Sequence, residues 1–187
     1  IVARIVDASE FLEFKPLYGA ATLCLHAKLC GMPVGIITNN GAEITFSAPQ
    51  SFDNFVFDSG TLRGPADLVF TGTFLWWGGS FSGSGKTVIT TNATLTAKTT
   101  NSKWIERPVD NYGVATFADN MTVYVRNSIW DNKPGSVMNF PKGGAYNWAG
   151  GSPLLVNSGA INKAGTNSLS LYYVPLNNNA ALNITEG

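Results

Sequence analysis

The sequence predicts a mainly β fold, a parallel β-solenoid (β-helix) with a short N-terminal helix and β-hairpin as a cap. Three observations predict it: short Thr-, Val- and aromatic-rich runs, Gly/Asn/Ser breaks between them, and a motif that recurs at a fixed period. No helical period follows residue 45. Because short strands at regular spacing also suit a β-sandwich, that fold is the alternative.

Six runs after residue 50 are typical of strands. Thr, Val and aromatic side chains favour extended, pleated backbone, and the Gly, Asn and Ser residues between the runs favour turns. The runs are residues 68–70, 73–76, 87–90, 94–97, 121–125 and 168–174.

An Asn-x-Gly-x-apolar motif, sometimes degenerate, supports the solenoid. Its Asn residues follow one another at spacings of 19, 21, 25 and 20 residues, which matches one solenoid coil of roughly 20–25 residues. Asn and Gly suit corners because both tolerate left-handed backbone, and stacked Asn side chains form hydrogen-bonded ladders. The candidate corner residues are Asn92, Asn111, Gly113, Asn132, Gly135, Asn157, Gly159 and Asn177.

The first 45 residues have a different pattern, so we expect two domains, 1–45 and 46–187. Asp7 followed by Glu10 predicts a capped helix, which Pro16 stops after about two turns. The alternation that follows predicts a β-hairpin of strands at residues 21–29 and 34–37. We expect this helix and hairpin to cap the N-terminal end of the solenoid.

One set of motifs in this segment resembles the carboxyltransferase β subunit of biotin-dependent acyl-CoA carboxylases, of the propionyl-, methylcrotonyl- and acetyl-CoA types. They look like the start of the C-terminal half of that subunit. The motifs are Ile5-Val6-Asp7, Ser9-Glu10-Phe11, Glu13-Phe14-Lys15, Tyr18-Gly19, Gly31-Met32-Pro33-Val34-Gly35-Ile36 and Asn39-Asn40-Gly41.

The resemblance implies carboxyl transfer from biotin to an acyl-CoA, with a biotin carrier and acyl-CoA as partners. The family continues with a Ser-Glu-Ser-Ala segment and the Gly-rich turns of a crotonase-like fold, which stabilise oxyanions. Here only Ser47-Ala48 echoes that continuation. We therefore carry over no catalytic residue and expect a carboxylase fragment of this kind to be inactive alone.

The later stretch resembles the low-charge repeats of bacterial surface and autotransporter-like proteins, at residues 71–85, 156–166 and 174–184. This resemblance implies a non-enzymatic structural or adhesive segment at the cell surface or outside the cell. Its partners would be a surface ligand or glycan, or a second copy through the solenoid ends. We take this as the main functional prediction and the carboxylase fragment as the alternative.

Composition excludes several other classes. The net charge is zero, with 12 Lys+Arg against 12 Asp+Glu, so no basic surface for nucleic acid is expected. No apolar run is long enough for a membrane span, and no signal peptide is visible. One His and two Cys without metal-ligand spacing predict no metal, and we expect no cofactor.

Three weaker signals favour structural roles. The residues Gly83-Ser84-Gly85-Lys86-Thr87 resemble the end of a phosphate-binding loop, but a strand pattern follows where a helix is needed. Asp110 and Asp131, one coil apart, form a conceivable carboxylate pair that we expect to be a solvated corner. The residues of a candidate aromatic contact strip are Trp76, Trp77, Trp104, Trp130 and Trp148.

Overall fold

The computed structural model describes residues 8, 11–13, 22–29, 32–39, 41 and 43–185. The chain divides into two compact units, Ile1–Ala42 and Glu43–Gly187. Among the described residues there is no α-helix, and none forms a helix long and apolar enough to cross a membrane.

The first unit contains a three-stranded antiparallel sheet in the order β1-β2-β3. Its strands are β1 (Phe11–Glu13), β2 (Thr22–Leu29) and β3 (Met32–Asn39). Strands β2 and β3 pair along their whole length, from Thr22 opposite Asn39 to Leu29 opposite Met32. The predicted hairpin is therefore confirmed.

The predicted N-terminal helix is wrong where the structure describes it. Residues Phe11–Glu13 are extended and pair antiparallel with β2, Phe11 opposite Ala27 and Glu13 opposite Leu25. A helix limited to two turns by Pro16 is marginal in water, whereas an extended segment gains the hydrogen bonds of the β2 edge. Asp7 and Glu10, the predicted cap, lie outside the described residues.

The second unit consists of nineteen short strands, β4 to β22. They are β4 (Glu43–Thr45), β5 (Gln50–Phe57), β6 (Thr61–Arg63), β7 (Leu68–Trp76), β8 (Gly79–Ser82), β9 (Thr87–Ile89), β10 (Thr94–Ala97), β11 (Lys103–Glu106), β12 (Val109–Asn111), β13 (Val114–Phe117), β14 (Thr122–Val125), β15 (Ile129–Asn132), β16 (Val137–Phe140), β17 (Gly144–Trp148), β18 (Leu154–Asn157), β19 (Ala160–Lys163), β20 (Leu169–Tyr172), β21 (Leu176–Asn178) and β22 (Ala181–Ile184).

These strands form the three faces of a parallel solenoid with seven coils. One face is the seven-stranded sheet β4-β6-β8-β11-β14-β17-β20. The other two faces diverge from the long strand β7, one as β9-β12-β15-β18-β21 and the other as β10-β13-β16-β19-β22, and β5 pairs along β7. Every pairing within this unit is parallel between successive coils, so the solenoid prediction is confirmed and the β-sandwich alternative is wrong.

The coil length explains the periodicity of the sequence. Trp104, Tyr124, Asn147 and Tyr172 occupy equivalent positions in four successive coils, at spacings of 20, 23 and 25 residues. Parallel strands in register place side chains of successive coils directly above one another. A residue type that suits one corner or lumen position therefore recurs once per coil.

The core fills the lumen of the solenoid. Side chains alternate between inside and outside along each strand, so Ala115, Met138 and Ile161 form one buried row across three coils. Phe117 and Phe140 stack nearly parallel in the lumen, with ring centroids 4.9 Å apart. Each buried side chain of this size stabilises the fold by about 1.5–3 kcal/mol, which compensates for the shortness of the strands.

Candidate functional site

The carboxyltransferase-like motifs lie on the sheet of the first unit. Met32–Ile36 belongs to β3, which is one of the two edge strands of the described sheet and ends at Asn39, immediately before Asn40-Gly41. The alternation of this segment thus produces a hairpin whose second strand presents the motif at an edge. The side chains of His26, Cys24 and Cys30 lie outside the described residues.

Four asparagines form a ladder along one corner of the solenoid. Asn111 Nδ2 donates to Asn132 Oδ1 at 2.8 Å, Asn132 Nδ2 to Asn157 Oδ1 at 2.8 Å, and Asn157 Nδ2 to Asn178 Oδ1 at 2.7 Å. The second N–H of Asn132 donates to the Ala160 carbonyl at 3.2 Å, and Ser136 Oγ donates to Asn132 Oδ1. The ladder thus satisfies carboxamides that are fully buried at Asn111, Asn132 and Asn157.

The structure places three of the predicted corner asparagines in this ladder and leaves two out. Asn111, Asn132 and Asn157 belong to it, whereas the fourth member is Asn178 and the predicted Asn177 is its exposed neighbour. Asn92 lies in the exposed turn before β10. Three consecutive asparagines at 177–179 gave no basis for choosing among them.

The predicted corner glycines serve different needs. A Cβ at Gly113 would lie 2.3 Å from the Ala93 carbonyl oxygen, and one at Gly159 2.3 Å from that of Ser136, so neighbouring coils approach too closely for a side chain. Gly135 instead has open space around it and a φ of +82°, which L-residues rarely adopt.

The five tryptophans do not form one strip. Trp76 and Trp130 are buried in the lumen, while Trp77 and Trp148 are 39% and 50% exposed. Trp104 lies on the outside of the solenoid, where it stacks on Tyr124 at 4.6 Å under the guanidinium of Arg126. Side chains alternate between the lumen and the outer surface along each strand, so the tryptophans are divided between the two. The residue type alone does not show on which side each one lies.

Asp110 and Asp131 are neighbours in register, but their surroundings oppose acid–base work. Lys133 Nζ lies 3.2 Å from Asp110 Oδ1 and binds Asp131, and Lys86 Nζ lies 2.9 Å from Asp110 Oδ2. Burial alone raises the pKa of Asp110, but the hydrogen bonds and charges of Lys86 and Lys133 outweigh it and hold that pKa below its ordinary value. Asp110 is therefore not the raised-pKa carboxyl that a glycosidase pair needs, and Lys133 joins both carboxylates in an ion-paired corner.

The segment Gly83–Thr87 is a corner between strands. It leads directly into β9 and not into a helix, and Lys86 Nζ is engaged by Asp110. Beneath it lies the fully buried Arg107, whose guanidinium donates to the carbonyls of Ala66 at 2.6 Å and of Gly85 and Lys86 at 2.8 Å. Because β9 follows directly, the helix N-terminus that a phosphate-binding loop requires is missing from this segment.

Sequence reasoning missed two fully buried cations, Lys103 and Arg107. Lys103 Nζ donates to the backbone carbonyls of Trp77, Lys98, Thr99 and Asn101, at 2.8–3.3 Å. Burial lowers the pKa of Lys103 to about 8, against a partial opposing effect of Asp119, and burial also lowers the pKa of Arg107. The sequence did contain a signal for the burial of Lys103. Lys103 lies two residues before the inward Ile105 on the same strand, so both side chains point to the same face.

No group of three His, Cys, Asp or Glu side chains in the described part of the chain is placed to hold a metal ion. An apolar cavity of about 240 Å³ opens at the last coil, lined by Leu155, Ile161, Leu176 and Leu182 among others. The corners, ladders and ion pairs described above stabilise the solenoid.

Comparison with known proteins gives a family. The sequence model of the carboxyl transferase domain matches residues 1–99, from the first unit to just beyond β10. The chain is 54% identical over 48 residues to the mitochondrial methylcrotonoyl-CoA carboxylase beta chain of Dictyostelium discoideum, which is 26% of this chain and 8% of that protein. It is 43% identical over 56 residues to a probable biotin-dependent acyl-coenzyme A carboxylase beta2 subunit of Mycobacterium tuberculosis, 30% of this chain and 11% of that protein.

The match to the curated relatives is short, since the chain spans only about a tenth of their length. No solved structure matches the chain. By its structure, the protein is of the class that combines a small antiparallel sheet with a parallel β-solenoid. By its sequence, it belongs to the carboxyl transferase domain family.

Two functional predictions are corrected by these comparisons. The prediction of a structural or adhesive surface segment is wrong, because the matching family is that of a carboxylase. The predicted location at the cell surface or outside the cell is also wrong, since relatives from Dictyostelium discoideum and Drosophila melanogaster are named as mitochondrial proteins. Solenoid architecture and surface location are separate properties, and the repeats indicated only the first.

Proposed function

We propose that this chain is a piece of the carboxyltransferase β subunit of a biotin-dependent acyl-CoA carboxylase and is not active alone. The complete subunit would transfer a carboxyl group from biotin to an acyl-CoA. The observation that carries the proposal is the family match over residues 1–99, together with 54% identity over 48 residues to a methylcrotonoyl-CoA carboxylase beta chain. On this proposal, the partners are a biotin carrier and acyl-CoA.

The described residues support inactivity of the isolated chain. Carboxyl transfer to an acyl-CoA needs backbone N–H groups aimed at a developing oxyanion. In residues 43–185 the strand backbones donate to the neighbouring coil, for example Val137 N to Gly113 O at 3.0 Å and Ala160 N to Ser136 O at 2.9 Å. The cavity at the last coil is lined mainly by Leu, Ile and Phe side chains. These residues do not fit biotin or a thioester carbonyl, so no chemical step is assigned to them.

The first unit is the part that we expect to function within a complete subunit. Its paired strands β2 and β3 form a compact element that includes the family motifs at Met32–Ile36 and Asn39–Gly41. Its role would be to supply a structural element of the C-terminal half of that subunit, with catalytic amides contributed by the rest of the subunit.

A graft tests this proposal. Residues 1–42 replace the corresponding segment of the methylcrotonoyl-CoA carboxylase beta chain of Dictyostelium discoideum, and carboxylation of methylcrotonoyl-CoA is measured in the assembled holoenzyme. We expect the rate to remain within about tenfold of the parent, a loss of less than roughly 1.4 kcal/mol in transition-state stabilisation. The matched control places residues 43–84, a solenoid segment of the same length, at the same site of the parent protein. This control graft should abolish the activity.

The isolated chain, assayed with a carboxylated biotin carrier and methylcrotonoyl-CoA, should form no product. A graft of residues 1–42 that assembles but loses activity as completely as the control contradicts the proposed relationship. Product formation by the isolated chain contradicts the proposed dependence on the rest of the subunit.

A further inference from the structure

The corner between β10 and β11 is built around a buried cation. Lys103 is 0% exposed, and three carbonyls of the corner together with one of the preceding coil surround its Nζ. The oxygens lie 2.8 Å away at Lys98, 3.0 Å at Asn101, 3.1 Å at Trp77 and 3.3 Å at Thr99. An ammonium has three N–H donors, so these four oxygens form a carbonyl cage that encloses the whole charge and does not match its donors one to one.

The carbonyl cage depends on an unfavourable backbone conformation at Thr99. Its φ is +67°, in a region that β-branched residues rarely adopt. The Thr99 N–H donates to Asp119 Oδ2 at 2.8 Å, and Thr99 Oγ1 donates to the Trp77 carbonyl at 2.6 Å. Such a conformation persists only where several contacts fix it. The ammonium is one of these contacts, because it binds the carbonyl of Thr99 itself.

The lining of the cage suits a monovalent cation of the size of ammonium. Rings of backbone carbonyls replace the hydration shell of K⁺ in selectivity filters, whereas Mg²⁺ and Ca²⁺ need oxygens at about 2.0–2.6 Å. The Trp76 ring adds a cation–π contact, with its centroid 6.0 Å from Nζ. Asp119, which also binds Lys142, is the carboxylate that favours the charged form of Lys103. Burial lowers the pKa of Lys103 only to about 8, so Nζ is mostly protonated at pH 7.

We propose that this corner is a binding site for a monovalent cation of ammonium size, and that the Lys103 side chain is its built-in ligand. The carbonyl cage binds the positive charge, and the stem of Lys103 only delivers it. A free ammonium or potassium ion should then take the same place once the side chain is shortened, and the corner should close around it. Arg107 is different, because its guanidinium reaches separate carbonyls through three nitrogen atoms, which one spherical ion cannot replace.

The test is chemical rescue of Lys103→Ala, measured by urea denaturation at pH 7 and constant ionic strength. The salts are the chlorides of ammonium, potassium, sodium and tetramethylammonium. We expect ammonium and potassium to raise the folding equilibrium constant of the variant in a saturable way, by about tenfold when the ion is at ten times its dissociation constant. Sodium, which is too small, and tetramethylammonium, which is too large, should have no such effect. The wild type should respond equally to all four salts.

The matched control is Leu95→Ala. Leu95 is 2% exposed on β10, so this variant also loses a buried side chain, but it keeps Lys103 in the carbonyl cage. Its stability should not differ between ammonium and sodium. Backbone NMR locates the effect: in Lys103→Ala, ammonium should return the amide shifts of Thr99 and Asn101 towards their wild-type values.

If Lys103→Ala is unfolded in sodium chloride, its refolding in ammonium chloride, measured by circular dichroism, supports the inference in the same way. No difference among the four salts, an equal response of Leu95→Ala, or a variant that stays unfolded in all of them would overturn it. A rescue that leaves the amides of Thr99 and Asn101 unchanged would also overturn it. This inference does not depend on the carboxylase proposal.

Discussion

At the residue scale, backbone carbonyls that point inward at the corners of the solenoid accept hydrogen bonds from buried cations. Lys103 and Arg107 each donate to several carbonyls while fully buried. A buried cation of this kind is costly unless every donor is used, and here the carbonyls of adjacent turns supply the acceptors. Removing either side chain would leave those carbonyls without partners.

The Asp110 cluster predicts a dependence of stability on acid. Because Lys86 and Lys133 hold the pKa of Asp110 below 3.8, its contribution is present above that unfolded-state value and is lost as pH falls through the lower folded-state value. We expect Asp110→Asn to reduce the free energy of unfolding at pH 7 by about 1–2 kcal/mol. The difference from wild type should begin to shrink as the pH falls below about 4 and should be lost at pH values below the folded-state pKa of Asp110, as measured by urea denaturation at several pH values.

The neighbouring Asp131 also binds Lys133, and this ion pair remains in the variant. The measured difference therefore reports on the charge of Asp110 and not on the loss of the whole cluster. An Asp110→Asn difference that persists unchanged to acid pH would show that the charge of Asp110 is not what stabilises the corner.

At the element scale, each strand is too short to be stable alone, and the contacts between coils hold the structure together. β12, β15 and β18 have three or four residues each, yet the Asn ladder joins them through side chains as well as backbone. Stability in such a solenoid comes largely from interfaces between neighbouring coils.

Replacement of one ladder member tests this coupling. Asn132→Ala removes acceptors for Asn111 and Ser136 and donors to Asn157 and Ala160, all in a buried corner. We expect it to lower the free energy of unfolding by about 2–4 kcal/mol, because buried polar groups lose their partners.

The control is Asn139→Ala, in a half-buried ladder on the outside of the solenoid in which Asn162 donates to Asn139. For this variant we expect a loss of less than about 1 kcal/mol. Urea denaturation of both variants gives the comparison. Equal losses for the two variants would contradict the assigned importance of the buried ladder.

The recurrence of Asn and Gly predicted the coil length and the solenoid, because one residue type solves the same corner problem in each coil. The N-terminal helix failed because local spacing at Phe11 ignored the pairing available along β2. The aromatic strip failed because it grouped residues by type, while strand alternation sends Trp76 inward and Trp104 outward. The caged Lys103 was foreseeable from its phase with Ile105, but its carbonyl partners come from corner geometry that the sequence does not display.

At the scale of the whole molecule, the low proportion of charged residues, 13%, has a structural counterpart. Asn, Ser and Thr supply polarity at corners and outer rows, and several charged residues of the solenoid form ion pairs or are caged by backbone carbonyls. The family match ends at Thr99, just after the third coil, so it includes both the first unit and the start of the solenoid. The coils after Thr99 continue the solenoid, and their strands pair in parallel with the preceding coil in the same way.

The most direct test of the account is whether residues 43–185 form a parallel solenoid or the helix-containing units of a crotonase-like fold. Backbone NMR of the full chain answers this through contacts between protons of strands about 4.8 Å apart. We predict inter-coil contacts linking Asn111 to Asn132 and Asn132 to Asn157, with strand-type chemical shifts around them. Helical shifts after residue 45, with no contacts between residues 21–25 apart, would contradict the account.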